Sequence, residues 1–204
     1  MATSQTLSIK DRTVLRALGK AGDILARAAN AAIANDSNLG RASLIAGGTA
    51  VSTKAATAIH AAIAGNTSVV AVTTGITNPT YIRNLLITFQ AAWDGGDVVV
   101  VGTNQFDAVI SETFVSNPAS TRVGLKIFKT VTSVAHTAVG ATANTYSVGD
   151  GDKLGIIPVP VASSPVVLFT SGVAEAVTFD ATYNGFTPTS IPNSARTYIL
   201  SANV

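Results

Sequence analysis

Residues 93–115 carry a complete strand grammar: Trp93-Asp94-Gly95-Gly96, then Asp97-Val98-Val99-Val100-Val101, then Ala108-Val109-Ile110-Ser111-Glu112-Thr113-Phe114-Val115. The first four residues form a turn signal, because Gly and Asp tolerate the backbone angles a tight reversal needs. The valines are stiff at the side chain and fit a pleated surface better than a helix. The last eight form a second β-branched run, so the stretch predicts two consecutive strands.

The same pattern continues on both sides. Strands are predicted over Ser68–Thr74, Tyr81–Gln90, Val123–Ser133, Thr145–Val148, Val166–Thr170, Val173–Tyr183 and Thr197–Ala202. Turn signals separate them: Gly75-Ile76-Thr77-Asn78-Pro79, Asn117-Pro118, Gly149-Asp150-Gly151-Asp152, Ser163-Ser164-Pro165, Asn184-Gly185 and Pro192-Asn193. No strand–helix alternation occurs, which argues against a parallel-sheet enzyme fold. The expected fold is mainly β, an antiparallel β-sandwich or jelly-roll-like body over residues 66–204, preceded by an N-terminal helical and extended arm over residues 1–65.

Within the arm, residues 8–35 read as a helix. Val14, Leu18, Ala21, Leu25, Ala28 and Ala32 recur at helical spacing, and Arg12, Arg16, Lys20 and Arg27 lie mostly off that stripe. Ser8 suits the N-cap, and Asn35-Asp36-Ser37-Asn38 with Gly40 is a stop signal. A lone amphipathic helix is marginal in water, so the stripe needs an apolar partner. Arg12, Val14, Arg16, Leu18, Lys20, Leu25 and Arg27 are therefore the candidate docking residues. Residues 42–65 are Ala-, Gly- and Thr-rich and read as an extended linker with one strand.

Only 12% of the 204 residues are charged, although 47% are hydrophobic. Globular domains average about 25% charged. Such a chain covers itself with hydroxyls and amides or loses surface to neighbouring copies. The first 41 residues carry six basic side chains against three acidic, and the remainder seven against eight. The arm is mildly basic and the body near neutral. Residues 1–8 lack the apolar core of a signal peptide. The uncharged stretches Ala55–Ile82 and Leu154–Ala174 do not read as membrane spans, the first being rich in Thr, Asn and Gly and the second carrying Pro158, Pro160 and Pro165.

Candidate chemistry is sparse. Cysteine is absent, which removes disulfides, thiolate metal sites and thiol nucleophiles. The two histidines, His60 and His136, have no acidic residue or second histidine nearby in sequence, and each is expected to be a partly exposed structural residue. Glu112 and Glu175 are the only glutamates; paired glycosidase carboxylates would need aromatic platforms that one Trp and four Tyr hardly supply. Asp150-Gly151-Asp152 resembles the start of a calcium loop without its closing Glu, and a tight turn is the better reading. Phe128, between Lys126 and Lys129, is expected in the core, and Arg83 is expected to pair with a carboxylate or carbonyls. No cofactor, metal or catalytic residue is expected, and the chain does not read as an enzyme.

Four segments in order resemble a module of tailed-phage structural proteins. The first is Thr73-Thr74-Gly75-Ile76-Thr77-Asn78-Pro79 with Arg83-Asn84-Leu85. Val99–Thr113 follows, with Gly102, Thr103 and Glu112 at its characteristic positions. Then come Lys126–Val134, with Phe128 and Lys129, and Val148–Gly155, with Asp152, Lys153 and Gly155. Asn193–Leu200 resembles that group's closing strand. Ile82 stands where the group often has proline, and no glycine stands near Asp107. The resemblance covers residues 68–204 and implies a structural part for Asn78, Pro79, Arg83 and Asn84 as for the other motif residues.

It further implies a non-enzymatic virion component, most simply a head decoration (cement) protein on the outer surface of the capsid. The implied partners are further copies of itself, as a homotrimer, and the major capsid protein. No membrane, sequence-specific nucleic acid or small-molecule substrate is expected. A neck, tail-tube or other tail-associated role is the alternative, and a carbohydrate-binding surface module the third. The last would require an exposed aromatic or a calcium site.

Overall fold

The computed structural model describes residues 42–44, 50–137, 144–156, 167–171, 173–175 and 177–201. Among these the chain is mainly β, its sheets antiparallel and curled into a half-barrel, with no helix. The predicted helix over residues 8–35 and its seven docking residues lie outside the described residues.

The strands are β1 (Ala42–Leu44), β2 (Ala55–Ala64), β3 (Val70–Val72), β4 (Arg83–Phe89), β5 (Val98–Thr103), β6 (Val109–Phe114), β7 (Thr121–Phe128), β8 (Thr130–His136), β9 (Thr145–Gly155), β10 (Val167–Thr170), β11 (Val173–Glu175), β12 (Val177–Asp180), β13 (Gly185–Pro188) and β14 (Tyr198–Ser201). They make three sheets. The largest runs β12-β13-β9-β4-β7, with β2 also paired to β9. The second runs β3-β8-β5-β6, and the third β1-β14-β10-β11.

The valine run becomes β5, whose alternation buries Val98 and Val100 and half-exposes Val99 and Val101. It faces the large sheet. Ile59 and Ile63 of β2, Leu85, Ile87 and Phe89 of β4, Phe114 of β6, Phe128 of β7, Val131 and Val134 of β8, and Tyr146 and Val148 of β9 form one core with it. A second, smaller core joins Val51, Leu154, Ile156, Phe186 and Tyr198.

Several expected elements take a different form. Val123–Ser133 is two strands in two sheets: the chain leaves the large sheet at Phe128 and enters the second at Thr130. Lys129 is the crossing residue, its N–H donating to the Thr103 carbonyl. The crossing is tight because Gly102 lies against it: a Cβ there would stand 1.9 Å from the Thr130 carbonyl oxygen. Gly149–Asp152 is not a turn but the interior of β9, which runs on to Gly155. Val173–Tyr183 divides into β11 and the hairpin strand β12. Residues 55–64, read as part of the linker, form a ten-residue strand paired to β9 that contributes Ile59 and Ile63 to the main core, so this stretch packs within the body. Asp107 takes a left-handed φ of 62° in the β5–β6 turn, a conformation that Asp tolerates better than most residues.

Strands β6 and β7 are neighbouring edges of different sheets, and a side chain joins them. Glu112 Oε1 accepts the Leu125 N–H at 2.6 Å, and the Lys126 N–H reaches both its oxygens. Lys126 Nζ returns to the Ser111 carbonyl at 2.6 Å. The carboxylate stands where a ladder carbonyl would. Burial pushes its pKa up, against the opposing pull of those two N–H groups.

At one end of the core, Trp93, His136, Tyr146 and Phe89 pack as an aromatic cluster; Trp93 and Tyr146 meet edge-on at 5.0 Å. His136 is buried, not partly exposed as expected. Its Nε2 accepts the Asn66 N–H at 3.1 Å, so the proton belongs on Nδ1, which donates to the Tyr146 hydroxyl at 3.3 Å. Burial holds its pKa below the ordinary 6.5.

The neutral ring contributes stability that is complete above the unfolded-state pKa and is lost as pH falls through the lower folded-state pKa. Thermal melts from about pH 7 down to about pH 5 are expected to show wild type losing stability faster than His136→Gln, by at most about 1.4 kcal/mol per pH unit. Parallel pH profiles for the two proteins would contradict this assignment.

Candidate functional site

The motif residues converge on the start of β4, which lies between β7 and β9. Arg83 is wholly buried, and its Nη1 reaches Asp150 Oδ2 at 3.1 Å. The same nitrogen donates to the Ser52 carbonyl at 3.2 Å and lies 3.3 Å from the Ser52 hydroxyl. Asp150 Oδ1 accepts the Ala55 N–H at 2.8 Å. The pair thus straps residues 52–55 onto β9. Burial lowers the guanidinium pKa, and the Asp150 charge opposes that shift. The expected partner class for Arg83, carboxylate and carbonyl, is the one found.

Asn84 sits where both neighbours lose register. Between Asn84 and Leu86 the pairing to β7 jumps from Ile127 to Val123, and between Arg83 and Leu85 the pairing to β9 jumps from Leu154 to Asp150. Each neighbour therefore bulges at the same level. The Asn84 side chain spans both: Nδ2 donates to the Gly124 carbonyl at 2.8 Å, and Oδ1 accepts the Lys153 N–H at 2.9 Å. Gly151 leaves the room, since a Cβ there would come within 2.3 Å of Asn84 Oδ1.

The remaining motif residues brace the same frame. Lys153 Nζ pairs with Asp180, donates to the Leu125 carbonyl at 3.1 Å and lies 5.1 Å from the centre of the Tyr183 ring. Asp152 pairs with Lys54 at 2.8 Å. Asn78, just before Pro79, accepts the Val131 N–H at 2.9 Å and so fixes the start of β8. Thr103 and Thr130 share a hydroxyl hydrogen bond of 2.7 Å. Lys129 pairs with Asp107 at 2.7 Å, both exposed, a contact worth about 0–1 kcal/mol. Phe128 is in the core, and Gly155 pairs with Gly185 across β9 and β13.

No three His, Asp or Glu side chains converge as a metal site among the described residues. Asp150 and Asp152, the calcium-like pair, are each engaged by a cation of the chain itself. The arrangement is a brace that holds strands in a bulged register.

One face of the body differs in character. Along β6 and the first part of β7 the odd-numbered residues point outward: Val109, Ser111, Thr113, Thr121, Val123 and Leu125, with Val115 just beyond β6; Ile127, further along β7, is buried. None is charged, and Val109, Val115, Val123 and Leu125 are among the most exposed large apolar residues, at 77%, 61%, 65% and 57%.

No family model matches the chain, and neither the curated proteins nor the solved structures include a match.

Removing one member of the buried pair leaves the other charge without compensation. Arg83→Met is expected to cost about 3–5 kcal/mol in urea unfolding, with part recovered in Arg83→Met/Asp150→Asn. Asn84→Ala loses both bulge contacts and is expected to cost about 1–3 kcal/mol. A loss below about 1 kcal/mol for Arg83→Met would show the brace to be dispensable.

Proposed function

We propose that this chain is a non-enzymatic structural protein of a tailed-phage virion, a decoration (cement) protein that binds the outer surface of the assembled head as a homotrimer and holds neighbouring capsid proteins together. The body would then be a β-sandwich-like unit, and the N-terminal residues a docking arm.

The uncharged outward face of β6 and β7 is the observation that carries this reading. A row of Val109, Val115, Val123 and Leu125, bordered by Arg122 and Lys126 whose cationic ends are engaged by the Val115 and Ser111 carbonyls, suits burial against another protein surface. The ordered resemblance of four segments to phage structural proteins supplies the biological setting. The low charge of the whole chain agrees with a life spent packed among copies. Repetition over a shell makes modest contacts per copy sufficient. The basic residues Arg12, Arg16, Lys20 and Arg27 would meet acidic groups on a neighbour, while Leu18 and Leu25 supply apolar contact.

Light scattering is expected to give a trimer at about micromolar concentration, and co-sedimentation with intact heads of the cognate phage a fixed stoichiometry. Val123→Asp/Leu125→Asp, on the exposed face, should abolish assembly with the melting temperature nearly unchanged, and Leu18→Asp/Leu25→Asp in the arm should abolish head binding. A monomer that ignores heads would refute the proposal, and rings or tubes under the electron microscope would move it to the tail.

A further inference from the structure

The outward face of β6 and β7 joins neighbouring strands of two sheets, and the edges these strands turn to each other are closed to a further strand. Glu112 takes the Leu125 and Lys126 N–H groups of β7, while the Ser111 and Val115 carbonyls beside it are taken by Lys126 Nζ and Arg122 Nε. An occupant of this face therefore meets side chains, not backbone. Val115 lies against Arg122 and Glu112 against Leu125, so the strands run antiparallel and their outward rows form one surface. Val109 stands at one end of it and Val115 at the other.

Two bodies meeting through this face alone would each bury roughly a few hundred Å², short of the about 800 Å² per partner that a stable contact takes. The chain itself supplies a segment that fits. Residues 8–35 carry the apolar stripe that the sequence places at helical spacing, and they precede Ala42, the first described residue. From Val14 to Ala28 such a helix measures about 21 Å, at about 1.5 Å per residue. The row from Val109 to Val115 measures about 20 Å, at about 3.3 Å per residue. A helix with its side chains is about 10 Å across, the width of two strands. The charges match at the ends. Asp107, with an exposed carboxylate paired to Lys129, precedes Val109, and Asp97 holds the N–H of Ser116 just past Val115. Arg12 and Arg16 flank one end of the stripe, and Arg27 the other. Residues 36–41, when extended, reach about 20 Å, enough to carry the segment off its own body.

We propose that residues 8–35 of one copy lie as a helix across the β6–β7 face of the next copy, with Val14, Leu18 and Leu25 set against Val115, Val123 and Leu125. This rests on the reading of that face as buried between copies and names what buries it. Each copy gives one arm and receives one, so it contributes to the buried area twice. Such head-to-tail docking closes as a ring, and three contacts complete the trimer.

The chain has no cysteine, so two introduced thiols are the only ones present. Full-length Leu18→Cys/Leu125→Cys, treated with a short bismaleimide at about micromolar protein, is expected to give covalent dimers and trimers on a denaturing gel. Leu18→Cys/Val173→Cys, with its second thiol on an exposed strand of another sheet, should stay monomeric on the same gel. Leu18→Asp/Leu25→Asp should convert the trimer to monomer in light scattering, as Val123→Asp/Leu125→Asp does, with the circular dichroism spectrum of the β-body retained. Cross-linking confined within single chains, equal cross-linking in the Val173 control, or no cross-linking at all would overturn the proposal. So would a trimer that survives Leu18→Asp/Leu25→Asp. Intermolecular cross-links in a protein that ignores phage heads would strike the virion role and leave this contact; uncross-linked chains that still sediment with heads would do the reverse.

Discussion

The Arg83–Asp150 pair is the constraint on which the other features of the body rest. Both groups are buried, and burial of charge is tolerated only where the geometry compensates it. Here compensation centres on one nitrogen: Ser52 offers its carbonyl to Arg83 Nη1 and Ala55 its N–H to Asp150, while Arg83 Nε and Nη2 have no hydrogen-bond partner among the described residues. Strand β9 can place Asp150 there only by bulging past Asn84, and the bulge persists because the Asn84 amide takes up the Lys153 N–H that the shifted ladder leaves over. The register of β2, β4, β7 and β9 is thereby one linked solution.

The strand content was legible because β-branched runs and Gly, Asn and Pro turn signals act locally. Phe128 in the core and Arg83 against a carboxylate followed from side-chain chemistry alone. What escaped were features set by distant partners. Gly149-Asp150-Gly151-Asp152 has the composition of a turn, yet its glycines provide space for β2 and for Asn84, a reason invisible until β2 and β4 lie beside it. Residues 55–64 are too rich in alanine to announce a strand, and it is Ile59 and Ile63, spaced four apart, that bury it. The break at Lys129 has no proline or glycine of its own to signal it; the chain changes sheet where the Lys129 N–H meets the Thr103 carbonyl and Gly102 makes room for Thr130. Gln105 and Asn184 likewise carry no pattern, since the carbonyls of Tyr183 and Ile156 that engage them come from distant parts of the chain or from across a turn.

The β5–β6 turn and the outward apolar face lie on elements that the brace adjoins. Phe106 and Asp107 share the β5–β6 turn, and Asp107 is paired with Lys129, the crossing residue between sheets. Tyr183 carries Lys153 near its ring, and Lys153 follows the Asp150 bulge.

The Glu112 seam has a consequence for how copies can meet. An uncovered sheet edge is a template on which further strands add without limit, the route to fibres. On β7 the N–H groups of Leu125 and Lys126 already face an anion, and any incoming chain would have to displace Glu112 before it could extend the sheet. Growth by strand addition is thus obstructed along that border. In a chain with so few charges, one carboxylate placed in the gap between two sheets occupies the place an added strand would have to take.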